Sequence, residues 1–251
     1  MKSKKGLIAL LAPILYLSLT VVMVANLYVF FSQKQYLTVY VDGESMKPTL
    51  NNEMVSIDET DPETGHTITK STKVHYGFVD RSEYVVDQLV RFQIVTTYYP
   101  WDSADYAQPY NKDNPTKPIE GSASFKIKRI LALPGDTFKI ENSVMYLKND
   151  ETWNQVEFPF ATPTITRNHP ETTVGENEYW IAGDNWGHST DSFDHQVGGA
   201  KTTGPIYKEN ITGVLVCIQG ECSSTFDKVT KEDHFYDHVK YSKPIYFINY
   251  D

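Results

Sequence analysis

The chain has 251 residues, a formal net charge of −9, 17 tyrosines and two cysteines. The acidic balance, with no basic stripe to neutralise phosphates, excludes a nucleic-acid partner. Two thiols without a neighbouring histidine exclude a structural zinc site, and the residues beyond position 31 are enough for one large domain with its own core.

Residues 6–31 carry no charge and are mostly Leu, Ile, Val, Ala and Phe. About 20 such residues cross the hydrocarbon core of a bilayer as a helix, and Pro13 near the start is tolerated there. Lys2, Lys4 and Lys5 precede the segment and only Lys34 follows closely. The positive-inside bias therefore predicts residues 1–5 in the cytoplasm, 6–31 as a single membrane-spanning helix, and 32–251 outside. A cleavable signal peptide would have an apolar region of roughly 7–15 residues and a small-x-small cleavage site. This segment is longer and ends in Val29-Phe30-Phe31, so an uncleaved anchor in the cell membrane is expected.

Beyond the anchor the chain reads as mainly β. Strand composition appears at Tyr36–Val41, Met54–Ile57, Leu89–Val95 and Phe125–Leu133. It continues at Phe138–Ile140, Val144–Leu147, Tyr179–Ala182 and Val214–Val216. Turn residues punctuate these at short spacing, which favours antiparallel sheet over βαβ units, and residues 140–144 read as a hairpin. The stretches 58–84, 98–122 and 149–176 read as long loops or insertions. Cys217 and Cys222, with Gly220 between them, could close a short disulfide outside the cell.

Chemistry concentrates at three places. Ser45 lies in Gly43-Glu44-Ser45-Met46-Lys47-Pro48-Thr49-Leu50, a turn-like run soon after the anchor. A serine hydroxyl needs a base to become a nucleophile. In the strand from Phe125 to Leu133, Lys126, Lys128, Ile130 and Ala132 share one face, and Arg129 lies on the other. A lysine among apolar neighbours loses hydration, and its pKa falls from about 10.4. The third place is Gly183-Asp184-Asn185, followed by Ser189-Thr190-Asp191-Ser192.

In order and spacing, these three motifs together with the anchor resemble the type I signal peptidase family, in its Gram-positive-like branch. The resemblance implies a signal-peptidase-like antiparallel β fold carried on one N-terminal transmembrane helix. It implies a membrane-bound serine endopeptidase that removes signal peptides from exported preproteins at the outer face of the cytoplasmic membrane. Ser45 would be the nucleophile and Lys128 the general base. Ser189 would orient the lysine, Asp184 would pair with Arg129, and Asp191 and Ser192 would support the site. Partners would be signal peptides, the lipid bilayer and the export machinery; no cofactor and no metal are implied. The substrate would bind extended, as an added strand, with Met46, Met54, Val55, Ile57 and Gln93 as candidate wall residues.

The chain departs from the family pattern in two ways. Position 43 is glycine, so a second oxyanion donor must come from elsewhere. Phe193 stands where the family has an arginine to pair with the aspartate at 191, leaving solvent, His188 or His195 to compensate that carboxylate. His188, Asp191, Asp194 and His195 also invite a Ser-His-Asp triad or a metal site, but their Gly-, Ser- and Thr-rich setting reads as a loop. The alternative function is a non-catalytic, signal-peptidase-like assembly factor for surface structures.

Overall fold

The computed structural model describes residue 14 and residues 16–28, 35–99, 126–158, 165–193, 204–230, 233–235 and 239–247. Residues 16–28 are helical, with Leu17, Leu19, Val21, Val22, Met23, Val24 and Leu27 exposed. Among the described residues no helix is long and apolar enough to cross a membrane. The remainder of the expected span, 6–13, 15 and 29–31, lies outside them, as do the expected loop from 100 to 122 and the residues Asp194 and His195.

The rest is antiparallel β. One sheet has the order β1 (Tyr36–Val41), β3 (Thr67–Asp80), β12 (Ile211–Asp227), β4 (Ile94–Thr97), β5 (Lys126–Ala132), β10 (Glu178–Ala182), β11 (Ile206–Tyr207). The strand β2 (Val55–Thr60) adds to β3, while β13 (Asp233–Phe235) and β14 (Lys240–Tyr246) add to β12. A second sheet has the order β8 (Thr152–Val156), β7 (Val144–Asn149), β6 (Thr137–Glu141), β9 (His169–Thr173). The β6–β7 hairpin closes in two residues, Asn142 and Ser143, at φ 51° and 66°, the backbone that a tight right-twisting hairpin requires.

β5 is covered on both faces. Ile130 enters a cluster with Val95, Ile181 and Val214, while Leu131 and Ala132 enter another with Phe138, Trp180 and Phe193. Each fully buried Leu or Ile contributes roughly 1.5–3 kcal/mol. This central strand is thereby held rigid between β4 and β10.

Four sequence expectations need correction. The stretch 58–84 is no loop: β2 and β3 form a hairpin over most of it, and Glu83–Asp87 is a short helix. Its alternation is broken by a bulge, where Lys73 takes φ 58° and β3 carries an extra residue against Cys222–Ser224 of β12. The stretch 149–176 likewise holds β8 and β9. The strand expected from Leu89 begins only at Ile94, because Phe92 at φ 72° turns the chain first. Cys217 and Cys222 lie on one strand, β12, as free buried thiols. Five residues of strand span about 16 Å, far beyond the roughly 7 Å that a disulfide bridges.

Candidate functional site

Ser45 sits half-buried in the turn between β1 and β2. Gly43 opens the turn at φ 85°, a conformation that disfavours any side chain. Met46 and Leu50 point inward, 2% and 0% exposed, and pack with Val41, Val79, Ile94 and Leu215. Those two side chains fix the turn to the sheet.

Asn51, wholly buried at φ 57°, clamps the other end. Its Nδ2 donates to the carbonyls of Val41 and Gly43, the latter at 3.0 Å. Its backbone N–H donates to His75 Nδ1 at 3.2 Å, and its Oδ1 accepts the His75 N–H at 2.8 Å. From the opposite side, Asn185 donates its backbone N–H to the Ser45 carbonyl at 3.0 Å and its Nδ2 to the Glu44 carbonyl at 3.2 Å. Gly183 is required here: a Cβ on it would collide with the Ser45 carbonyl and the Ser189 hydroxyl.

Lys128 reaches this turn from β5. Its Nζ lies 2.8 Å from Ser45 Oγ and 3.0 Å from the Ile127 carbonyl, and donates to both. The residue is 5% exposed. Burial pulls its amine down to about 8, against the opposing attraction of Asp191 and Asp184 and with a small push from Lys126.

Two buried ion pairs flank the lysine. Arg129 and Asp184 form a two-bond fork, Nε to Oδ1 at 2.8 Å and Nη2 to Oδ2 at 2.7 Å. Thr49 adds its hydroxyl to Asp184 Oδ2 at 2.5 Å, and Arg129 Nη1 reaches the Phe92 carbonyl at 2.7 Å. This pair ties the Ser45 turn to β5 and to the Gly-Asp-Asn loop.

The second pair was not legible in the sequence. Asp191, 0% exposed, faces Arg167, whose Nη1 and Nη2 each lie 3.4 Å from its Oδ2. Burial leaves the Asp191 carboxyl above its ordinary range; Arg167, the Phe193 N–H, Lys128 and the Ser189 hydroxyl pull it only part of the way back. The Phe193 N–H donates to Oδ1 at 3.1 Å, and the Gly183 N–H to Oδ2 at 3.4 Å. Neither solvent nor His188 compensates Asp191: the carboxyl is fully buried, and His188 is exposed on a short 3-10 turn. Phe193 is itself buried and forms one wall around Arg167.

The Ser189 hydroxyl accepts the Gly183 N–H at 3.1 Å and bonds Asp191, which in turn acts on the lysine. Ser192 closes the loop onto β10, its Oγ accepting the Ile181 N–H at 3.0 Å.

Of the expected wall residues, Met46 and Met54 are buried beneath the surface, while Val55 and Ile57 are exposed on β2. Gln93 spends its side chain inside the turn before β4, accepting the Val90 N–H at 2.9 Å. Asn51, His75 and Arg167 were missed because each acts through contacts remote in sequence. Among the described residues no group of three or more His, Cys, Asp or Glu is placed to hold a metal. The family profile described as signal peptidase, peptidase S26, matches residues 12–219. A comparison with curated proteins found no match.

Proposed function

The chain belongs to the signal peptidase family, peptidase S26, and we propose that it is a membrane-bound serine endopeptidase of the Gram-positive-like branch, removing signal peptides from exported preproteins with a Ser45–Lys128 dyad. One observation carries the reading: a buried amine, with its proton affinity lowered to about 8, lies 2.8 Å from a hydroxyl on a braced turn. When Lys128 loses its proton, the direction of that contact reverses and the Ser45 hydroxyl donates to the amine. Ser45 Oγ then attacks the scissile carbonyl as its proton passes to Lys128, and the Ser45 backbone N–H supports the oxyanion. Lys128 hands that proton to the departing amine, leaving an acyl ester on Ser45. A water, deprotonated by the same amine, releases the peptide.

The substrate binds extended, as an added strand, with Val55 and Ile57 as the exposed apolar candidates for contact. The uncharged segment 6–31 serves as the anchor, and the exposed apolar side chains of residues 16–28 suit contact with lipid. Residues 1–5 then face the cytoplasm, and the catalytic domain lies outside with the export machinery. Confinement to the membrane raises the effective concentration of membrane-bound preprotein.

The test is cleavage of a labelled preprotein by the purified full chain in detergent. Ser45→Ala and Lys128→Ala each abolish cleavage, while His188→Ala leaves it intact. An unmutated protein that cleaves nothing, although assembly of surface structures fails without it, would move the reading to the assembly factor.

A further inference from the structure

The Asp191 carboxylate lies fully buried next to the lysine, and the residue after Ser192 supplies no cation. All of its described partners donate: the Arg167 guanidinium, the backbone N–H groups of Phe193 and Gly183, and the Ser189 hydroxyl. Burial favours the protonated form, and these donors together favour the ionised carboxylate, which accepts at both oxygens and has no proton of its own to place. Arg167 comes from a different part of the chain, just before β9, and is 5% exposed. Its backbone is locked to the β6–β7 hairpin: its N–H donates to Ser143 Oγ at 2.9 Å, and its carbonyl accepts the Ser143 N–H at 2.8 Å. Its guanidinium lies 4.7 Å from the centre of the Trp186 ring and 5.0 Å from that of Phe193. An aromatic slot of this kind holds a flat cation by both stacking and charge. Phe193 therefore does not leave a gap. It builds one side of the slot for a cation brought in from the second sheet.

We infer that Arg167 is a positioning residue of the dyad: from the loop before β9 it supplies the positive charge that keeps Asp191 ionised beneath Lys128, and so couples the four-stranded sheet to the reaction. The inference rests on the reading of Lys128 as the base. The charged groups acting on Lys128 are Asp191, Asp184 and Lys126. Asp184 is already matched by Arg129, and Arg167 acts on Lys128 through Asp191 alone. Without Arg167, the buried Asp191 takes up a proton and no longer attracts the Lys128 ammonium. The lysine then releases its proton more readily, and the acid limb of the reaction moves down in pH. A merely structural arginine would lower activity and leave that limb in place.

The test uses the full chain in detergent and two readouts. The first is the pH titration of the Lys128 15Nζ signal by NMR, assigned by its loss in Lys128→Met. The second is the pH–rate profile on a preprotein. Arg167→Met moves the Lys128 midpoint down by on the order of one pH unit, the size expected when a nearby opposite charge is lost. Arg167→Lys keeps the charge and holds the midpoint near that of the unmutated chain. A folded Arg167→Met whose lysine titrates unchanged overturns the inference.

Should Arg167→Met not fold, Asp191→Asn and the double variant Arg167→Met/Asp191→Asn decide. Asp191→Asn strands a buried guanidinium, so the double variant unfolds at a higher temperature than Asp191→Asn alone; the reverse order refutes the pairing. Neither the NMR titration nor the unfolding comparison needs turnover. A chain that cleaves no preprotein but shows the shift loses the proposed reaction and keeps this inference. One that cleaves without the shift loses only the inference.

Discussion

On the proposed dyad Lys128→Met abolishes cleavage, and the same substitution should stabilise the protein at neutral pH. Burial lowers the lysine from 10.5 to about 8, which corresponds to about 3 kcal/mol of penalty for holding the ammonium form inside the fold. Above about pH 8 the folded chain has released a proton that the unfolded chain keeps until about 10.5. The unfolded state thus binds more protons in that window, and stability rises with pH through it. Below about 8 both states are protonated and the penalty is fully present. Methionine removes the penalty at the cost of the two Nζ hydrogen bonds, to Ser45 and Ile127, worth about 1 kcal/mol each. The net gain at pH 7 is about 1 kcal/mol, which raises the midpoint of thermal unfolding by a few degrees. The gain shrinks as pH rises from 8 and reverses by 10.5, where the neutral lysine retains its hydrogen bonds and methionine has none. The assay is thermal unfolding of both proteins across pH 7–10.5, the difference between them isolating this one group. A methionine variant less stable at pH 7, or a difference that stays flat across that range, refutes the argument that the Lys128 amine is held in a desolvated state.

Gly183→Ala drives a methyl group into the Ser45 carbonyl, which is backbone and cannot swing away. Cleavage falls by at least about 100-fold, the usual cost of an ångström-scale misplacement, and the unfolding temperature falls with it. Asp184→Asn leaves the Arg129 guanidinium, 5% exposed, without its counter-charge, and urea titration should show a loss of about 3–5 kcal/mol. Reductant leaves the unfolding temperature unchanged and thiol titration of the denatured chain finds two free groups, because Cys217 and Cys222 lie on one extended strand.

The legible parts of the site were those carried by short stretches of regular backbone. Lys128 and Arg129 are neighbours on one strand, so alternation alone sends them to opposite faces, and each finds its partner within a turn motif. Asp184 follows the glycine that lets the Ser45 carbonyl approach, and the two belong to one local run. The Asp191 partner had no such signature. Arg167 stands 24 positions away in an irregular segment, and its pairing depends on how the second sheet docks. The length of β3 was hidden for a related reason: the bulge at Lys73 shifts the side-chain alternation midway, so no single period describes the strand. Gln93 falls outside the strand expected for it because the run from Leu89 has the composition of a strand but must turn at Phe92 to bring β4 onto β5.

The clamp on the Ser45 turn adds a second acid limit, separate from that of Lys128. His75 accepts the Asn51 N–H at Nδ1, so its own ring proton sits on Nε2. Burial holds the ring below its ordinary range, while Glu221 and Glu53 pull it up. As pH falls below about 6.5 the unfolded chain protonates first, so the stability contributed by the neutral ring, present above that pH, drains away. Once Nδ1 carries a proton it no longer accepts, and the Asn51 hold on Val41 and Gly43 weakens with it. Acidification should therefore produce two events. Activity falls first, near pH 8 and reversibly, with near-UV circular dichroism unchanged, because only Lys128 has titrated. The tertiary signal falls later, below about 6.5, as the turn loosens. His75→Phe keeps the first event, weakens the turn at every pH and moves the second to lower pH. If activity and tertiary signal vanish together at a single pH in the unmutated protein, or if the phenylalanine variant unfolds in acid at the unmutated midpoint, then the Asn51–His75 contact is not what holds Ser45 in place.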